Sequence, residues 1–120
     1  MYMTGRGVPV NLRQGNKYFE HGCVGGDSAA CTHLGWSYRE GRGVRADQFR
    51  AVNLFRKGCR GENYLGCAYL AWELGKEERP LREQEEADRL FLESCEKGIA
   101  FACNALATRK ESRQEGMGHL

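Results

Sequence analysis

The chain has 120 residues and a formal net charge of +2. That length implies one compact unit, and so balanced a charge gives no argument for a nucleic-acid partner. No apolar run approaches the roughly 18 residues of a membrane-spanning helix, and the opening MYMTGRGVPV lacks the hydrophobic region of a signal peptide.

Tyr2–Val8 reads YMTGRGV, and Tyr38–Val44, 36 residues later, reads YREGRGV. The second copy follows an amphipathic stretch, Cys31–Tyr38, that has no counterpart before the first. The chain is therefore expected to begin inside a repeat unit, with a partial leading unit over 1–10, as a fragment, a processed product or an array with a truncated first repeat. Asn11, with Gln14 three residues on, is expected to cap a helix that runs to about Cys23. Gly25 and Gly26 end it. Asp27 is the expected N-cap of the next helix, where Cys31, Leu34, Gly35 and Tyr38 fall at the i, i+3, i+4, i+7 spacing of one face. Gly41 and Gly43 stop it.

In the second repeat Asp47 is the expected cap, and Val52, Phe55 and Cys59 line one face. Gly61 makes the turn. Cys67, Leu70, Ala71 and Leu74 follow on a helix that Gly75 ends. In the third, Glu77–Pro80 replaces the Gly-x-Gly-Val turn, and Pro80 suits a helix start. Leu81–Lys97 reads as a charged helix with Ala87, Phe91 and Cys95 inward. The last helix carries Cys103, Leu106 and Ala107, with Lys110 at the register of Tyr38 and Leu74. Thr108–Gln114 suits a polar cap, and 115–120 a frayed tail. Hairpins are thus expected at about 11–43, 47–75 and 81–114, within a single repeat domain over 1–114.

The spacing makes this a repeat. Cys23, Cys59 and Cys95 are 36 residues apart, as are Cys31, Cys67 and Cys103. Phe19, Phe55 and Phe91 share that period, as do Leu34, Leu70 and Leu106. Gly35, Ala71 and Ala107 stay small, and so do Ala30, Gly66 and Ala102. One fixed period in the range of roughly 20–50 residues signals a repeat architecture. The small residues let helices approach closely, so an all-α stack of antiparallel helix pairs is expected.

Within each hairpin the two cysteines stand about equally far from the bend and face each other. Disulfides Cys23–Cys31, Cys59–Cys67 and Cys95–Cys103 are then feasible, each closing a loop worth about 2.5 kcal/mol. Two rival uses remain. One is zinc, since His21 and His33 flank the first pair as H-x-C-x7-C-x-H. The ligand spacing of zinc knuckles is absent, however, and a histidine two residues from a cysteine on a helix points nearly the other way. The other is reduced structural thiols, the cytosolic case.

Leu34-Gly35, Tyr38, Gly41-Arg42-Gly43-Val44, Asp47, Ala51, Phe55 and Lys57-Gly58-Cys59 together resemble a Sel-1-like repeat, a relative of the tetratricopeptide repeat. The C-x7-C pairs on the 36-residue period resemble its disulfide-bridged branch, the helicobacter cysteine-rich protein family. The resemblance covers about residues 1–108. It implies a right-handed α/α superhelix (solenoid) with one disulfide per hairpin, and an extracytoplasmic setting: periplasmic, secreted or intermembrane space. The sequence departs from the pattern in lacking the first Cys31–Tyr38 equivalent, in the third repeat's missing Gly-x-Gly-Val, and at Gly15, where Ala51 and Ala87 stand in later repeats.

The same resemblance implies a second function, penicillin binding with weak β-lactam hydrolysis. Its one motif match is Ser94-Cys95-Glu96-Lys97, an S-x-x-K late in a predicted helix, beside a cysteine expected to be bridged. The companion S-D-N and K-T-G motifs are absent, and Ser94 holds the register of Gly22 and Gly58. No catalytic residue is expected from it. The two Gly-Arg-Gly segments lack the remaining glycines and the lysine of phosphate loops. No cofactor or metal is expected.

What remains is surface. Trp36 and Trp72 share a register, and Tyr69 lies one turn before Trp72. They suit either a ligand-facing stripe or packing against a neighbouring repeat. Arg39, Arg42 and Arg45, with Tyr38, suit an acidic peptide end. Arg39–Arg60 holds seven basic and two acidic residues, whereas Glu73–Glu96 holds four and nine. That asymmetry suits a charged partner or head-to-tail self-association. The reading as a whole is a non-enzymatic protein- or peptide-binding scaffold, with homo-oligomerisation as a further possibility.

Overall fold

A computed structural model of the chain describes residues 8–118, with side chains described over 11–111. Its described residues form six α-helices and no strand: α1 (Val8–Val24), α2 (Ser28–Glu40), α3 (Gln48–Arg60), α4 (Tyr64–Leu74), α5 (Leu81–Glu96) and α6 (Ala100–Gly118). The fold class is that expected, all-α helix-hairpin repeats with one disulfide in each hairpin. Of the leading unit 1–10, only 8–10 lie within the described residues, as the start of α1.

Contacts along the chain gather into two compact units, divided after Gly66. In the first, α2 packs on both α1 and α3. The Cys23–Cys31 disulfide and Ala30 are buried there, with Phe19 and Leu54 against them, and Leu34, Ala51 and Phe55 are also buried. In the second, α5 packs on α6. Leu70, Ala71, Leu74, Ala87, Phe91 and Ala102 are buried. Repeat chains hold mostly neighbour contacts, so separate clusters arise without a boundary in the sequence pattern.

Each hairpin turn is built the same way. Gly26, Glu62 and Gly98 donate their N–H groups to the carbonyls of Cys23, Cys59 and Cys95 at 3.1, 2.9 and 3.0 Å. Asp27, Asn63 and Ile99 donate to Gly22, Gly58 and Ser94 at 2.8, 3.0 and 3.0 Å. This nested pair is the Schellman-type closure that satisfies the last carbonyls of a helix. It requires a left-handed residue at the bend, and all three have positive φ: 102° at Gly26, 67° at Glu62 and 95° at Gly98.

The second turn therefore corrects the sequence expectation. Glu62, not Gly61, supplies the left-handed residue. Gly61 has an ordinary φ of −87°. Its lack of a side chain matters for another reason, since a Cβ there would collide with the Ser28 hydroxyl.

Capping follows the expected residues at two helices. The Asp27 carboxylate accepts from Ala30 N–H at 3.2 Å, and that of Asp47 from Arg50 N–H at 3.1 Å. Asn63 does the same for α4, accepting from Gly66 N–H at 3.0 Å. Its Oδ1 also accepts from the buried Thr32 hydroxyl at 2.8 Å, which ties α2 to the second turn.

Asn11 is not a cap. α1 is already helical from Val8, with Pro9 in its first turn, where a missing N–H costs no hydrogen bond. At the other end, α6 continues to Gly118, through the beginning of the stretch expected to fray. No proline interrupts Ala100–Gly118, and its side-chain types largely favour helix.

Candidate interaction surface

Gly41 and Gly43, both expected to stop α2, act differently in the α2–α3 connection. Gly41 is the left-handed C-cap (φ 70°), and its N–H bonds the Ser37 carbonyl. Gly43 also has positive φ, 75°, but it additionally lies against α1, where a Cβ would come within 2.8 Å of Leu12 and Asn16. The buried Asn16 amide donates to the Arg42 carbonyl at 2.7 Å and holds the loop there. Asp47 N–H closes it by donating to the Tyr38 carbonyl at 2.9 Å. Leu12, Arg13, Val44 and Arg45 thus line a shallow depression at the junction.

Around this loop sit four of the expected ligand-facing residues. Tyr38 is half-buried and lies beneath Arg50, whose guanidinium is 5.5 Å from the ring centre and donates to the phenol oxygen at 3.1 Å. Arg50 also pairs with Asp47 at 3.5 Å. Trp36 is half-buried with the Arg39 guanidinium 5.3 Å from its ring. Arg42 is exposed. The first unit therefore displays two aromatic rings, each covered by an arginine, a combination suited to carboxylate-bearing partners.

In the second unit, Tyr69 is half-buried and stacks on Phe101 at 5.4 Å between ring centres. Trp72, one turn further along α4, is 46% exposed. Arg109 is the residue the sequence did not single out. Its Nε donates to Asp88 at 2.6 Å, one Nη to the Gly75 carbonyl at 2.7 Å and the other to the Gln84 carbonyl at 3.3 Å. The guanidinium also lies 5.9 Å from the Phe91 ring. Within the stretch expected to be a polar cap, one side chain thus fastens α6 to α5 and to the end of α4. Gln84 adds bonds to the carbonyls of Glu77 and Arg79, at 3.2 and 2.8 Å. These hold the connection that lacks Gly-x-Gly-Val.

The rival chemistries meet specific geometry. Cys23 and Cys31 are joined to each other with Cα atoms 4.6 Å apart, so neither thiolate is available to a His21/His33 zinc set. His33 stacks on Phe19 at 5.0 Å. Cys95 and Cys103 are joined at 4.7 Å, and Cys59 and Cys67 are disulfide-bonded as well. Ser94 is fully buried in α5 at a small-residue position, while Lys97 is exposed at the helix end. Among the described residues no helix is long and apolar enough to cross a membrane.

A repeat of antiparallel helices, each hairpin closed by a disulfide, defines the class of this protein. The Sel1 repeat family model matches residues 1–23 and 28–63, and the chain is a cysteine-rich protein of Sel1-like repeats. The second matched segment joins α2 to α3, so the Cys23–Cys31 disulfide links the two matched segments. Sel1 repeats serve as scaffolds for protein–protein interaction. Comparison with curated proteins yields no match.

Proposed function

We propose that this chain is a non-enzymatic scaffold that binds a protein or peptide in an oxidising, extracytoplasmic compartment, as its likeness to the helicobacter cysteine-rich branch also implies. The observation that carries the reading is the set of Sel1-type hairpins in which every cysteine is oxidised. Such bridges persist where thiols are not kept reduced. They also hold the helices in place before a partner arrives, which lowers the ordering cost of binding.

The contact residues in this reading are Trp36, Tyr38, Arg39 and Arg42 in the first unit, and Tyr69 and Trp72 in the second. The arginine-covered rings favour an acidic segment with apolar side chains. The test is selection from a random peptide library displayed on phage against the oxidised protein, followed by calorimetry with the selected peptides. Arg42→Ala and Trp36→Ala are expected to weaken binding about 10-fold or more. Selection of no sequence-specific peptide, or binding indifferent to both substitutions, would overturn the proposal.

A further inference from the structure

Helices α3 and α5 hold the same place in successive repeats, so their residues correspond at the 36-residue register. Their outward chemistry is reversed at three positions: Arg50 against Glu86, Lys57 against Glu93, and Arg60 against Glu96. Arg50, Lys57 and Arg60 are exposed, as are Glu93 and Glu96, and Glu86 is half-buried. These positions lie on one side of each helix.

The α5 face is more than a group of carboxylates. Leu90 and Leu92 line a shallow groove with Glu86, Arg89, Glu93 and Glu96, and Leu92 is 47% exposed. The α3 face likewise carries an apolar group, Phe49, 77% exposed beside Arg50. Among the described residues Arg89 is the one cation lining the α5 groove, and its register partner on α3 is the uncharged Asn53. Two such helices laid side by side at equal height therefore meet opposite charges at three positions and no like pair at the fourth.

From this complementarity we propose that the α5 groove takes the α3 face of a second copy of this chain. The two faces differ, so each contact pairs unlike surfaces. The remaining α3 face and α5 groove of a bound pair either engage each other, which closes a dimer, or take further copies. Arg50 is already engaged with Asp47 and Tyr38, which leaves Lys57 and Arg60 as the cations most free to pair across copies.

The experiment is sedimentation velocity on the full chain with its disulfides intact, over about 10 µM to 1 mM protein, at about 20 mM and 300 mM salt. Reversible association is expected at low salt, at least about 10-fold weaker at high salt, where exposed charges are screened. Lys57→Glu with Arg60→Glu is expected to abolish it, and so is Glu93→Lys with Glu96→Lys. An equimolar mixture of these two double variants should associate, because each restores the opposite face for the other. The milder Lys57→Ala and Glu93→Ala should each weaken association about two- to fivefold, and they keep the test decisive should a double variant misfold. A wild type that stays monomeric at low salt, association indifferent to salt or to both face reversals, or a mixture that fails to associate would each overturn the proposal.

Discussion

Replacing Glu62 with glycine should make the protein more stable, although it removes a charged side chain and creates no contact. Glu62 has φ 67°, the only positive value outside glycine among the described residues. The same turn position is glycine in the other two hairpins, Gly26 and Gly98. A side chain in the left-handed region costs roughly 1–2 kcal/mol through Cβ crowding. Glycine removes that cost but loses about 0.5–1 kcal/mol to the greater freedom of the unfolded chain. The expected net gain is about 0.5–1 kcal/mol, which corresponds to a rise of roughly 2–5 °C in Tm for a chain of this size. The assay is paired urea and thermal unfolding followed by circular dichroism, on Glu62→Gly and Glu62→Ala, with disulfides intact. Alanine keeps the Cβ and loses only the charge, so it should leave stability within about 0.5 kcal/mol of wild type. If Glu62→Ala gains as much as Glu62→Gly, charge rather than backbone strain is responsible. If Glu62→Gly is neutral or destabilising, the turn argument fails.

Gly98→Ala is the converse case: nothing lies within 4 Å of the added Cβ, so the backbone alone should lower stability, by about 1 kcal/mol in the same melts. Gly35→Ala acts through packing, because its Cβ would come within 2.8 Å of the Phe55 ring and 3.2 Å of Leu54 Cβ. A loss of about 1–2 kcal/mol is expected after allowing for alanine's better helix propensity, and Phe55→Leu in the same chain should make the glycine change less costly in a double-mutant cycle. Arg109→Lys keeps the charge but not the fork that reaches Asp88, Gly75 and Gln84 at once; it should cost about 2 kcal/mol and raise amide hydrogen exchange in α6 by mass spectrometry. Partial reduction with dithiothreitol and alkylation should label Cys95 and Cys103 before Cys23 and Cys31. Both cysteines of the third pair are half-buried, whereas the first pair is 3% and 2% exposed and access limits thiol attack.

The features legible in the sequence are the local ones. The cysteine period marks the hairpins because both residues of a pair lie beside one bend. Asp27 and Asp47 announce their helices because an N-cap acts within three residues. Asn11 misleads because its side chain has the right chemistry, yet α1 has already begun at Val8. The turn at Glu62 is invisible for a related reason. Gly61 is the obvious candidate, but the hydrogen-bond register set by Cys59 and Gly58 places the left-handed residue one position later. Gly43 and Arg109 escape because their partners are distant: Leu12 and Asn16 for the one, Asp88, Gly75 and Gln84 for the other. The aromatic positions share a register that the sequence displays, Trp36 with Trp72. Their setting, with Arg39 over Trp36 and Arg50 over Tyr38, depends on rotamers that spacing does not specify.

The three repeats keep one backbone and diverge in what they place upon it. At one register of the second helix stand Ser37, Glu73 and Arg109. Ser37 is buried, Glu73 is fully buried and paired with Lys76 at 2.9 Å, and Arg109 joins three partners. A hydroxyl, a carboxylate and a guanidinium need different surroundings, so this position does not set the hairpin geometry. The nested turn bonds and the adjacent disulfide act within about ten residues and recur in every copy. A repeat whose geometry is set so locally tolerates reversal of its surface charge, as between Lys57 and Glu93, without losing its fold. A 120-residue chain with a modest core thereby acquires differently charged helix faces on one repeated backbone.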